Sequence, residues 1–408
     1  MTLKKIFRIL FHTCIGAILL IMVIMNIRLR RAPELPYGNK EDLSQPLMQL
    51  NYLNAEVHND LGSRMQLIFP EGYDFTNALY GLSWAAIAEN SIDNTEIYPA
   101  AIKEAIYAYN YLDSPTGKEP FSANMEPAYG IFYNGWKNYL LANILRVQYP
   151  LDSSLLKPFE INCSFIADAF SKNIFPDSYP DNAWPTDACV AIASLALHDK
   201  ITTPQYEELI KKWIAAVRLK LDASTGLIPH SVVSRTGTTL EPARGSSMAL
   251  MLIFLSDIDP AFAKELYPVF EKTFLTTRIG LPVLREFPKG NFSGGDIDSG
   301  PVIFGVGFSA TIVAPGACLR MGEIAAAEKI SGVVEACGFA TSYDDEKKYL
   351  FGKLPVADLF ILWSRLQQPA VEVSEESSMG CYYWISLLTL ALILLWVWRL
   401  VVVFKKSK

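Results

Sequence analysis

The sequence predicts an all-α chain: an (α/α)6 toroid, or barrel, held between two transmembrane helices. Three observations carry that expectation. Apolar periodicity near 3.6 residues runs through twelve segments, and no run of alternating strands competes with it. The connections before every second segment are long and the others short, so a stack of antiparallel hairpins would gather the long loops at one end. Both ends of the chain are long, apolar and almost free of charge. A two-layer helical solenoid is the runner-up, but the segments show no fixed sequence period.

Residues 9–27 read ILFHTCIGAILLIMVIMNI, close to the roughly 20 apolar residues that a bilayer core demands. A cleaved signal peptide is the alternative, but no clear small-x-small site follows the apolar run. The second span, 382–404, opens YYWISLLTLALILLWVW. Lys4, Lys5 and Arg8 precede the first span; the acidic EVSEESS (372–378) precedes the second, and Arg399 and the tail KKSK follow its apolar run. The positive-inside rule then puts residues 1–8 and 405–408 in the cytoplasm and a 35–375 domain outside it. Arg28, Arg30 and Arg31 pull the other way. The expectation is a membrane protein with two anchors and an extracytoplasmic central domain.

Composition narrows the function. With 51% hydrophobic and 19% charged residues the chain is not disordered, and a formal charge of −6 offers no footprint for nucleic acid. Cys163, Cys189, Cys318 and Cys337 lie in the domain without CxxC spacing, so structural zinc is unsupported and buried free thiols are favoured over disulfides.

The twelve helices are expected at 45–58, 75–90, 98–112, 129–149, 154–172, 183–199, 203–222, 243–258, 260–276, 305–322, 324–338 and 354–367. TTPQYEEL (202–209) and DPAFAKEL (259–266) carry helix-start chemistry, a capping side chain followed by proline. Long loops in compact domains are commonly functional, so the candidate residues are sought there. In EPAYGIFYNGWKNYL (126–140), Tyr133 and Trp136 share a helix face, either as core or as a wall of the cavity mouth. SYPDNAWPTDACVAIASLAL (178–197) offers Tyr179, Asp181, Trp184 and Asp187. Asp181 is a helix cap or a ligand contact. Asp187 starts an otherwise apolar helix, where desolvation would raise its pKa as an acid catalyst requires. DASTGLIPHSVVSRTGTTLEPARGSSMAL (222–250) brings His230, Glu241 and Arg244, the arginine either as an ion-pair partner of Asp187 or Glu241 or as a ligand clamp.

NFSGGDIDSGPVIFG (291–305) adds Asp296 and Asp298. A calcium loop needs a glutamate eleven positions after its first aspartate, and that position is Gly307. A phosphate loop needs a lysine that is absent here. No metal site and no cofactor motif emerge. A carboxylate pair facing Asp187 across a cavity remains, the arrangement that glycoside hydrolysis uses, or else a helix cap.

The stretch DIDPAFAKELYPVFEKTF (257–274), with YPDN (179–182), LNYLN (50–54) and the Gly/Asp-rich loop at 290–300, resembles the linalool dehydratase/isomerase family. The resemblance implies an (α/α)6 barrel. The family's two catalytic cysteines would fall at Ser178 and Asp187, its histidine at Trp136 and its aspartate at Asn54, so its catalytic set is not retained. The expectation is therefore carboxylate acid–base catalysis by Asp187 with Asp298, Glu241 or Asp296. Tyr133, Trp136 and Trp184 would form walls and Arg244 would orient the substrate, a glycan or small molecule cleaved by hydrolysis or elimination. The alternatives are hydration or dehydration of an isoprenoid-like alcohol, and a non-catalytic envelope scaffold.

Overall fold

The computed structural model describes residues 3–30, 35–37, 42–148, 150–291, 293–374 and 382–405. Arg31, residues 375–378 of the acidic stretch, Cys381 and the tail residues 406–408 lie outside them. The first helix, α1 (Leu3–Leu29), is followed by α2 (Ser44–His58) and the short α3 (Leu61–Gln66). Then come α4 (Gly72–Glu89), α5 (Ile97–Leu112), α6 (Pro115–Lys118), α7 (Gly130–Val147), α8 (Ser153–Lys172), α9 (Pro185–Ile201) and α10 (Glu207–Arg218). A hairpin of β1 (Ser231–Val233) and β2 (Thr238–Glu241) leads to α11 (Gly245–Ile258) and α12 (Pro260–Phe274). Two more hairpins, β3 (Leu275–Arg278) with β4 (Leu281–Leu284) and β5 (Val302–Ile303) with β6 (Val306–Gly307), precede α13 (Phe308–Arg320) and α14 (Ile324–Cys337). The last, β7 (Thr341–Tyr343) with β8 (Glu346–Lys348), leads to α15 (Pro355–Arg365), and α16 (Tyr383–Lys405) ends the described chain.

Helices α4, α7, α9, α11, α13 and α15 form a closed inner ring, each touching the next and α15 returning to α4. Helices α2, α5, α8, α10, α12 and α14 surround it, completing the (α/α)6 toroid. Sequence pattern sorts the layers. In α9 every residue from Pro185 to His198 is buried, whereas α10 buries only the stripe Ile210, Trp213, Ile214 and Val217, as an outer helix facing water on one side should. Close approach within the ring needs small residues: a Cβ on Gly135 of α7 would lie 3.2 Å from the Ala191 Cβ of α9. Outer helix α12 starts at Asp259, whose carboxylate accepts from the Ala261 and Phe262 amides at 2.9 and 3.1 Å, with Pro260 in the first turn.

Two differences from the periodicity reading stand out. Four antiparallel hairpins sit in the long loops; their strands run from two to four residues, too short for alternation to show. Trp136 lies at the centre of the barrel, edge-on to Phe75 and Phe254 at 5.2 and 5.3 Å and packed against Trp363. These rings plug the axis beneath the long-loop end. At the other end, Asp257 accepts from Tyr139 at 2.6 Å and pairs with Arg320.

Helices α1 and α16 contain Ile6–Leu29 and Trp384–Val402, each long and apolar enough to cross a membrane. They are joined by Asn26 Nδ2, which donates to Thr389 Oγ1 at 2.9 Å. They meet the barrel through a small apolar cluster that includes Leu29, Val283, Val333 and Ile385. Cys163, Cys189 and Cys318 are buried free thiols.

Candidate active site

The loops 59–71, 113–129, 173–184, 219–244, 275–307 and 338–354 all run into the N-termini of inner helices, so they share one end of the barrel. A cavity of about 370 Å³ opens there, lined from all six inner helices. Its floor is apolar: Phe75, Phe132, Leu250, Ile312 and Phe360, with the Phe75 ring 5.2 Å from Phe132 and 5.3 Å from Phe360. Its polar side presents Glu71, Tyr179, Asp187, His230, Ser247 and Asp298.

Asp187 sits in the first turn of α9, buried, with Pro185 fixing the helix start. Ser178 Oγ donates to its Oδ2 at 2.6 Å. Burial pushes the Asp187 carboxyl up to about 7; the Ser178 hydrogen bond opposes that rise, and the charges of Glu71 and Asp298 add to it. Such a group holds a proton near neutrality and can release it within the cavity. The Tyr179 hydroxyl donates to Glu71 Oε1, and burial holds that phenol far above its ordinary value. In the first turn of α4, Asp74 is buried with neither oxygen partnered, and burial, followed by the Glu71 charge, raises its pKa well above the carboxylate range.

The aspartate pair of the Gly-rich loop divides. Asp296 organises the loop: its amide donates to Ser299 Oγ, and its Oδ1 accepts from the Ser299 amide, both at 2.9 Å. Gly295 is required beside it, since a Cβ there would overlap the Gly300 carbonyl at 1.8 Å. Arg244 Nη1 binds Asp296 Oδ2 at 2.6 Å, and Nη2 binds Glu241. Burial would raise the Asp296 pKa, but the Ser299 amide and Arg244 bring it below the ordinary value. Asp298 instead faces His230, its Oδ2 3.6 Å from Nε2. The other ring nitrogen, Nδ1, is 2.6 Å from Ser247 Oγ. Behind them, Ser246 Oγ donates to the fully buried Glu286 at 2.7 Å. Burial raises the Glu286 pKa against the hydrogen bond from Ser246 and the charges of Arg244 and His230.

The cavity thus brings together Asp187, Asp298, Tyr179, Trp184, His230 and Asp296 from the sequence-derived candidates. The other five lie elsewhere, which corrects their expected positions. Trp136 is core. Tyr133 is buried outside the cavity, its hydroxyl donating to the Leu112 carbonyl at 3.1 Å, while its neighbour Phe132 lines the floor. Asp181 occupies the exposed tip of the turn bridged by Tyr179 and Asn182, with a φ of 62° that aspartate tolerates better than most residues. Glu241, its side chain 49% exposed, is held at the rim by Arg244, and Arg244, with Nη1 on Asp296 and Nη2 on Glu241, pairs with them rather than with Asp187. Glu71, Ser247 and Glu286 were missed. Glu71 was within reach of the rule that found Asp187, because it too stands at the start of an inner helix. Glu286 carried no signal, lying in a loop without periodicity.

Fold and cavity together define a six-hairpin helical toroid with a buried carboxyl of raised pKa in a pocket at its long-loop end. No family model matches the chain. No curated protein matches its sequence. A solved structure described as a polysaccharide lyase matches at a TM-score of 0.35 and 12% identity, covering 70% of this chain and 72% of that one. That degree of likeness is too slight to argue from.

Proposed function

We propose that this protein is a membrane-anchored barrel enzyme that breaks a C–O bond by general acid–base catalysis, acting on a glycan by hydrolysis or elimination. The single observation that carries the reading is Asp187: a buried cavity-wall carboxyl with its pKa pushed up to about 7. In this mechanism Asp187 protonates the departing oxygen. His230, positioned by Ser247 and facing Asp298, takes a proton from water in hydrolysis or from carbon in elimination. Asp298, on the open side of the cavity, stabilises the imidazolium that results. Among the described residues no arginine or lysine pairs with Asp187 or Asp298, whereas Arg244 neutralises Asp296 and Glu241, which speaks against a scaffold that has lost its chemistry.

A second reading, hydration or dehydration of an isoprenoid-like alcohol, draws on the aromatic floor of Phe75, Phe132 and Phe360 and on the family resemblance at 257–274. The same proton transfer from Asp187 would drive it. In both readings α1 and α16 anchor the 35–375 domain, and Lys4, Lys5 and Arg8 at the start of α1 support its placement outside the cytoplasm.

The test is a screen of the full chain against glycan and terpenol panels, each hit repeated with Asp187→Asn and Asp298→Asn. Turnover lost in Asp187→Asn supports the assignment. Turnover that survives both substitutions removes it.

A further inference from the structure

The two membrane-length helices join the barrel at its long-loop end. Val283 belongs to β4 and Val333 to the last turns of α14, and both contact the α1–α16 pair in one apolar cluster. Tyr382 anchors the start of α16 by donating to the Lys329 carbonyl at 2.6 Å. The tip of the β3–β4 hairpin presses against the next residues: a Cβ on Gly280 would lie 3.1 Å from the Trp384 Cβ. Trp384 is 72% exposed at the head of the second span, where tryptophan and tyrosine mark the bilayer–water boundary. The hairpin tip therefore stands at the level of that boundary.

Around this point the loop tips are apolar. Ile279, beside Gly280, is 66% exposed. Arg278 Nε donates to the Phe304 carbonyl at 3.3 Å, tying the β3–β4 tip to the β5–β6 tip, where Phe304 is 90% exposed and Ile303 half-exposed. Beside α1, Ala340 lines a crevice with Ile24 and Ile27, and with Arg28 and Glu335. Beyond it, exposed Phe351 stacks on Phe339. Ile279, Phe304 and Phe351 have φ of 53°, 51° and 56°. The turns Ile279-Gly280 and Phe304-Gly305 are two-residue hairpin connections, whose first position strongly favours asparagine or aspartate. A β-branched isoleucine in the left-handed region is an outlier. Apolar side chains thus occupy the tips against both backbone preference and exposure to water, beside helices suited to a bilayer.

We propose that the long-loop face rests on the bilayer that α1 and α16 cross, with Ile279, Ile303, Phe304 and Phe351 inserted at its headgroup–acyl boundary. The inference rests on the reading of those helices as membrane spans and goes beyond it. The β5–β6 tip follows directly on the loop that carries Asp298, so the cavity mouth opens at the lipid interface. Its substrate is then an amphiphile whose polar head reaches Asp187 while its apolar chain stays with the membrane.

The test uses the full chain in phosphatidylcholine vesicles whose acyl chains carry a diazirine close to the headgroup, with adducts mapped by peptide mass spectrometry after irradiation. Adducts at 279–280, 303–304 and 351, in addition to α1 and α16, are expected; Ile92, exposed in the connection between α4 and α5 at the opposite end, should carry none. Asparagine suits the left-handed turn, so Phe304→Asn should keep the fold and lower adduct yield at 303–304 several-fold. Adducts confined to α1 and α16 overturn the docking surface and leave the anchors standing. Tips protected by contact with a second copy of the chain also overturn it. An absence of adducts in α1 and α16 overturns the membrane reading itself.

Discussion

Ser178 and Asp187 are joined by a hydrogen bond of 2.6 Å, Oγ donating to Oδ2, at the wall of the long-loop cavity. The bond favours the ionised carboxyl, while burial favours the neutral one by more, and the balance leaves Asp187 titrating at about 7.

Asp187→Asn should lower turnover by about 10²–10⁴-fold, the ordinary contribution of a general acid, without unfolding the barrel. The same variant changes stability with a defined sign. The folded protein holds the Asp187 proton up to about pH 7, whereas the unfolded chain loses it near 3.8. The group's contribution is fully present below about pH 4 and is lost as pH rises to about 7. At pH 8 the Asp187→Asn variant should therefore exceed the parent by about 4 kcal/mol, and the gap should close at pH 4, as read by thermal unfolding at both pH values.

Ser178→Ala removes the hydrogen bond that stabilises the Asp187 carboxylate. Its pKa should rise further, so the alkaline limb of the pH–rate profile should move to higher pH while the rate below neutrality changes little. An unmoved limb would assign that limb to another group.

Ser247→Ala frees the His230 Nδ1 that now meets Ser247 Oγ. Turnover should fall by about 10-fold with KM nearly constant, since the ring stays in place but loses its orientation. His230→Gln should cost about 10²-fold or more in kcat. Steady-state kinetics on any substrate found by the screen separates the two.

Glu335 is a test of the frame rather than the site. It is buried with Arg365 and Lys347 at 2.6 and 2.8 Å and accepts a hydrogen bond from Tyr349. Burial works to raise its pKa, but Arg365 and Lys347 prevail and hold it at about 2. Glu335→Gln leaves two buried cations uncompensated and should cost about 3–5 kcal/mol, measured by denaturant unfolding. The stabilisation of the parent is present above about pH 4.5 and is lost as pH falls towards 2.

Trp136→Ala should likewise destabilise by about 3–5 kcal/mol, the cost of a large cavity in the core. Phe132→Ala, at the cavity floor, should raise KM as well. A Trp136→Ala variant of full stability and weakened substrate binding would restore tryptophan to the pocket wall.

The sequence by itself determined the helices, their pairing and the end of the barrel that gathers the long loops and the cavity. Those properties follow from apolar period and loop length: α9 reads as buried because thirteen further residues after Pro185 are, through His198, all core, and long loops before the inner helices must share one end. It also placed Asp187, since a lone carboxylate opening an apolar inner helix has only the ring's interior to face. Tertiary structure decided what spacing leaves open. A three-to-four-residue repeat fixes which face of α7 points inward but not how deep, so Trp136 went to the axis and Phe132 to the cavity. Asp296 and Asp298 are equivalent in an aperiodic glycine loop until Arg244 comes within 2.6 Å of the first and His230 within 3.6 Å of the second. Pairings of that kind join residues far apart along the chain, and only the closed ring brings them within reach of one another.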